Sequence, residues 1–173
     1  KVLDSDSYFA TTIRASQGNV ALKLLGSFSQ AHRITVIKTG VHAANLVEIG
    51  SVATRSDRAH ISNLYVQGAG NDGIQIINGN LGTIENIRSI GNGRDGINFT
   101  TDTADNNTWT MQGFIDTLNN TRDGVHFAGS TSVSNAANSR SHAALLICAQ
   151  TNGRYGVYSN ARSNVLTVYG ELN

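Results

Sequence analysis

The chain has no proline and a single cysteine in 173 residues. One cysteine excludes an internal disulfide framework. Cys148 sits in the apolar stretch AALLICA (143–149), and free cysteine buries readily, so a buried, inert thiol is expected. Charge is scarce: 14% of residues are charged and the net charge is +1. There is neither the basic tract of a nucleic-acid binder nor an acidic tail, so no nucleic-acid partner is expected. AALLICA is the longest apolar run and far too short to span a bilayer, which argues against membrane insertion. The histidines (32, 42, 60, 126, 142) are scattered and show no metal-ligand spacing with one another or with Cys148, so no metal and no cofactor is expected. Apolar residues at helical spacing are missing too. No secretory signal opens the chain, which begins at Lys1 without an initiator Met. Residues 1–173 are expected to form one domain, a segment of a longer chain.

What the chain does have is glycine (18 residues), with many asparagines and serines, a composition suited to short strands joined by tight turns. It also repeats. ISNLYVQGAGNDGIQI (61–76) aligns without a gap over IENIRSIGNGRDGINF (84–99), an offset of 23 residues. Fainter copies flank these two. The short segments LKL (22–24), VEI (47–49), IQI (74–76), INF (97–99), VHF (125–127) and VYS (157–159) recur at steps of 23 to 32 residues. A second strand-like segment precedes most of them, and period-two alternation runs through both kinds.

A helix-free unit of this length is the coil of a parallel β-helix. The sequence therefore predicts an all-β fold, a right-handed single-stranded parallel β-helix (solenoid) of about six to seven coils. Stacking places Leu22, Val47, Ile74, Ile97, Val125 and Val157 in one inward column. Leu24, Ile49, Ile76, Phe99 and Phe127 form its partner, which Ser159 breaks. Each buried aliphatic side chain contributes about 1.5–3 kcal/mol, and a coil can bury its apolar face only against its neighbours. Asn63 and Asn86 fall at equivalent positions and are expected to exchange amide hydrogen bonds up the stack. Trp109 opens an apolar strand and is expected in the core. NVLTVYGEL (164–172) reads as a strand beginning a further coil.

The residues between the two inward columns point outward: Lys23, Glu48, Gln75, Asn98, His126 and Tyr158, about 4.8 Å apart per step. Links on one edge of the coils stay short (GAGN, GNGR, NNTR, TNGR), whereas those on the other lengthen from INGNLGT to TTDTADNN to AGSTSVSNAANSRS. Insertions gathered on one side of a solenoid often mark its working face, here expected to wall a groove around His126 and Tyr158.

Asp72, Asp95 and Asp123 share one slot in consecutive coils. Carboxylates about 5–5.5 Å apart suit a retaining glycosidase, and a wider pair an inverting one. His126, close to Asp123 in sequence, is a candidate general base or sugar ligand. A structural reading stands beside this one: Asp-Gly is turn chemistry, with glycine tolerating positive φ, and Arg94 and Arg122 are placed to neutralise the stack.

The quoted repeats resemble the right-handed pectate-lyase-like β-helix superfamily, and within it phage tailspike proteins, over about residues 33–157. The resemblance implies that substrate lies along the outward ladder. A bacterial surface polysaccharide would then contact Lys23, Glu48, Gln75, Asn98 and Tyr158, with Arg122, and Asp72, Asp95, Asp123 and His126 would be candidates for its cleavage. It also implies a homotrimer at an extracellular or virion tail surface. NDGI is similar to the Asn-Thr-Asp motif of polygalacturonases, but their Asp-Asp, Gly-His-Gly and Arg-Ile-Lys motifs are absent. Two further readings are a secreted microbial polysaccharide lyase, hydrolase or epimerase, and a purely structural β-helix segment; turnover on polysaccharides separates an enzyme from the last.

Overall fold

A computed structural model describes residues 2–3, 11–40, 43–100, 106–107, 109–128, 139–140, 143–159 and 165–171. Among these there is no helix; every regular element is a strand. The chain winds through parallel sheets. The first is built chiefly on Gln30–Lys38, His60–Gln67, Thr83–Ile90, Thr110–Leu118, Ala143–Gln150 and Val165–Glu171, with Thr11–Ala15 and Val2–Leu3 both against Gln30–Lys38. The second stacks Leu22–Leu24, Val47–Ile49, Ile74–Ile76, Ile97–Phe99, Asp123–Phe127 and Tyr155–Ser159. A third, short sheet joins Gly79–Asn80, Asn106–Asn107 and Ser139–Arg140. This is a parallel β-solenoid.

The sheet register follows the repeat. Leu22, Val47, Ile74, Ile97, Val125 and Val157 are successive partners, as are Leu24, Ile49, Ile76, Phe99, Phe127 and Ser159. From Val47 to Val125 the first column has no solvent exposure, and Val157 packs at its end. Ser159 is exposed, as a polar break in the second column requires. Trp109 is fully buried, donates from Nε1 to the Gly79 carbonyl at 2.9 Å, and meets Phe99 edge-on. Phe99 in turn stacks on Phe127. Val165–Glu171 pairs with Ala143–Gln150 and so continues the winding.

Corners are made by residues in the left-handed region, aligned from coil to coil. Phe28, Arg58 and Leu81 (φ 60°, 56° and 56°) turn the chain into the first sheet. Gly68, Gly91, Asn119 and Thr151 turn it out again. Arg33, Asn63, Asn86 and Gly113 (φ 53°, 52°, 51° and 65°) kink the sheet halfway along its strands. Such φ values are costly for side chains other than Gly and Asn, and they persist only where surrounding structure over-determines them. The stacked hydrogen bonds from Phe28 N to Asp57 O and from Arg58 N to Asn80 O supply that constraint.

Several expectations are corrected. About four turns are complete, fewer than six to seven coils. The second sheet nevertheless has six rungs. Cys148 is half-buried and sits in the outward column beside Asp116, because its neighbours Ile147 and Ala149 take the inward positions. Asn98, expected on the outer face, is buried. The glycines after the aspartates are required for space, not for positive φ: a Cβ on Gly96 would lie 2.6 Å from the Gly124 carbonyl oxygen.

Candidate functional site

The aspartate slot is a column: Asn45, Asp72, Asp95, Asp123 and Tyr155 each stand two residues before the matched inward residues Val47, Ile74, Ile97, Val125 and Val157. All three carboxylates are fully buried. Each is gripped by the arginine of the following coil. Arg94 Nε donates to Asp72 Oδ1 and Arg122 Nε to Asp95 Oδ1, both at 2.7 Å, and Arg154 Nε to Asp123 Oδ1 at 3.0 Å. The Nη2 group of each arginine takes the second oxygen, closing a two-point clamp. The same Oδ1 atoms accept a backbone N–H from the next rung, Asp95 N to Asp72 and Asp123 N to Asp95, at 3.1 Å each.

The outward ladder forms in register and joins this column. Asn45 Nδ2 donates to Gln75 Oε1 at 2.5 Å and to Glu48 Oε1 at 3.0 Å, while Lys23 Nζ pairs with Glu48 at 2.9 Å. Asn98 Nδ2 donates to Asp72 Oδ2 at 2.8 Å, which is why Asn98 is buried. His126 Nδ1 lies 3.3 Å from Asp95 Oδ2 and 3.0 Å from Arg122 Nη2. Tyr158 packs on His126 and beside Tyr155, with the Arg154 guanidinium 4.9 Å from its ring centre. Burial alone would push the Asp95 carboxyl up; hydrogen bonds from His126 and Arg122, the Arg122 charge and the Asp123 N–H outweigh it and hold the group below the ordinary carboxylate range. A substrate would reach these carboxylates only by displacing a guanidinium. Ligand atoms of Asp95, Asp123 and His126 lie within 4.8 Å of one another, a spacing a metal ion would accept. Arg122 and Arg154 already neutralise those carboxylates, so a cation there meets repulsion first.

A second ladder went unflagged in the sequence. Asn92 Nδ2 donates to Asn120 Oδ1 at 2.8 Å, and Asn120 Nδ2 to Asn152 Oδ1 at 2.9 Å. Each Oδ1 also accepts the backbone N–H of the preceding rung. Its signal is the asparagine shared by the turns GNGR, NNTR and TNGR. The expected Asn63–Asn86 bond is present at 3.3 Å.

The concave surface lies on the outer face of the first sheet. A groove of about 580 Å³ is lined by Arg33, Thr35, Tyr65, Arg88, Phe114 and Asp116, with Asn63 and Asn86 in its bed. Thr35, Tyr65, Arg88 and Asp116 are successive rung partners, so the groove runs across the rungs. The left-handed kink makes it concave. Phe114 overhangs it because the fourth of these strands, Thr110–Leu118, carries one extra residue between Met111 and Ile115, a bulge that pushes an exposed ring outward. Its N–H is held by Asn86 Oδ1 at 3.3 Å. Arg88 Nε pairs with Asp116 Oδ2 at 2.9 Å. Burial raises the Asp116 carboxyl above its ordinary range, and the Arg88 charge and hydrogen bond offset this only in part. The long links expected to wall a groove at His126 and Tyr158 fall mostly at 101–105 and 129–138, outside the described residues.

Comparison with family models, with curated proteins and with solved structures finds no match. No helix among the described residues is long and apolar enough to cross a membrane.

Proposed function

We propose that the chain is the carbohydrate-binding shaft of a tailspike-like protein, and that a bacterial surface polysaccharide lies in the groove on the first sheet. The groove carries this reading. It crosses successive rungs at about 4.8 Å each, close to the length of one sugar residue. Tyr65 and Phe114 offer apolar faces to pyranose rings, while Arg33, Arg88, Asp116 and Thr35 offer hydrogen bonds to hydroxyls. The sequence resemblance adds a homotrimer at an extracellular or virion tail surface, which sedimentation of the purified chain tests directly. Binding is tested by titrating bacterial surface oligosaccharides. Phe114→Ala, at an exposed side chain, weakens binding about tenfold, equivalent to about 1.4 kcal/mol, without loss of stability. Equal affinity of wild type and variant for every sugar that binds overturns the assignment of the groove.

Cleavage as well as binding is open to test at Asp116, the carboxylate that lines the groove and pairs with Arg88. Depolymerisation that survives Asp116→Asn removes that reading and leaves binding intact.

A further inference from the structure

We propose that the saccharide site is a track longer than its concave part, and that it takes an internal segment of a long linear polysaccharide lying over Thr12 at one end and Cys148 at the other. This rests on the reading of the groove as the sugar site. The sheet register carries the extension. Thr12, Thr35, Tyr65, Arg88, Asp116 and Cys148 are successive rung partners, and the middle four line the groove. Ile13 and Ala15 pack on the core to either side of Arg14, so Thr12 points outward with the column. Ile147 and Ala149 do the same for Cys148.

Neither flanking residue closes the groove. Thr12 is exposed and Cys148 half-buried, and a hydroxyl or a thiol is too short to form an end wall of the kind Phe114 forms at the side. A site that reads a chain terminus needs a closed end; one that holds the middle of a chain needs both ends open. A second outward column runs alongside. Ile37, Gln67, Ile90 and Leu118 are successive partners, and Leu118 pairs on to Gln150 beside Cys148. Ile37, Ile90 and Leu118 are half-buried and give the faces of sugar rings an apolar rail. The Tyr65 hydroxyl donates to Gln67 Oε1 at 2.9 Å and ties the two columns together.

The length of the ligand follows from the rungs. From Thr35 to Asp116 the concave part spans about 14 Å, room for about three sugar residues. From Thr12 to Cys148 the track spans about 24 Å, room for about five or six. A short saccharide already gives up its translational and rotational freedom on binding. Residues added to it gain contacts on the flanking rungs without that cost again, so affinity rises until the track is full.

The test is calorimetric titration of the purified chain with size-fractionated bacterial surface oligosaccharides of about two to about ten residues, with alkylation of Cys148 by iodoacetamide followed in parallel. Affinity rises about tenfold or more between about three and about six residues and then levels. Cys148 is the chain's single cysteine, so its alkylation reports the far end of the track. A saturating oligosaccharide of about six residues slows the reaction about fivefold or more, whereas one of about three leaves it nearly unchanged. Thr12→Cys on a Cys148→Ser background gives the same protection at the opposite end. Affinity that levels at about three residues, or Cys148 alkylated at its free rate under a saturating long oligosaccharide, overturns the track and leaves the groove assignment standing. Binding of none of these saccharides overturns the groove as a sugar site, and the track with it.

Discussion

Arg122 pairs with Asp95 of the previous coil more closely than with Asp123, its neighbour in sequence. The Nε to Asp95 Oδ1 distance is 2.7 Å, against 3.7 Å to the nearer Asp123 oxygen. Arg94 and Arg154 reach back in the same way, to Asp72 and Asp123. The arginine–aspartate dipeptide is thus an inter-coil clasp. Asp95→Ala strands a part-exposed Arg122 and removes the acceptor for the Asp123 N–H. It is expected to cost about 3 kcal/mol in urea unfolding, the low end for a broken buried pair because Arg122 keeps some water. A double-mutant cycle should find stronger coupling of Arg122 to Asp95 than to Asp123.

The two shifted aspartates pull the pH profile in opposite directions. Asp95 is held below its ordinary value when folded, so the unfolded chain takes up this proton first as pH falls. Its stabilisation is complete above the ordinary value of about 3.9 and is lost as pH drops through the lower folded one. Asp116 is held above its ordinary value. The folded state takes its proton first, so stability gains as pH falls through the folded value and stops gaining below the ordinary one. Denaturant titrations at several pH values should show a shallower acid loss for Asp95→Asn, and no mildly acidic gain for Asp116→Asn.

Asn120 sits in the middle of the buried amide ladder. Its Oδ1 accepts from Asn92 N and Nδ2, and its Nδ2 donates to Asn152 Oδ1 and to the Ser89 carbonyl. Asn120→Ala leaves the Asn92 backbone N–H and one Nδ2 hydrogen buried without an acceptor, while the other Nδ2 hydrogen keeps Ser89 Oγ, so the expected loss is about 2–3 kcal/mol. Asn120→Asp keeps the acceptor but removes both donated bonds and buries a charge, so it should cost at least as much. Hydrogen exchange at the Asn92 amide is the direct check: it should accelerate in Asn120→Ala, which removes the acceptor, more than in Asn120→Asp, which keeps it.

Stacking was legible because inward positions follow a rule that a one-dimensional pattern preserves. Once Ile74 and Ile97 share a column, Gln75 and Asn98 must as well. Which outward residues stay wet was not legible. Asn98 is buried by a bond to Asp72 in the coil before it, a contact 26 residues away that no local pattern encodes. The groove escaped notice for a related reason. Its concavity comes from left-handed residues in mid-strand and from the bulge at Gly113 and Phe114, both of which break period two. A trace existed: Met111 and Ile115 stand four residues apart where Ile84 and Ile87 stand three apart.

Gly82 offers the sharpest test of the packing that carries all of this. A Cβ there would lie 2.2 Å from Cζ3 and 2.3 Å from Cη2 of Trp109, far inside van der Waals contact. The indole cannot retreat easily, since Nε1 is tied to the Gly79 carbonyl and Phe99 stands against the ring. Gly82→Ala therefore forces either a backbone shift at the corner after Leu81 or loss of the indole bond, and overpacking of this kind costs about 1–3 kcal/mol. Trp109 is the chain's single tryptophan, so its fluorescence reports the event without ambiguity. Emission should shift to the red in the folded variant as the indole meets water, and the urea midpoint should fall. Unchanged emission and an unchanged midpoint would mean that Trp109 does not pack against this rung.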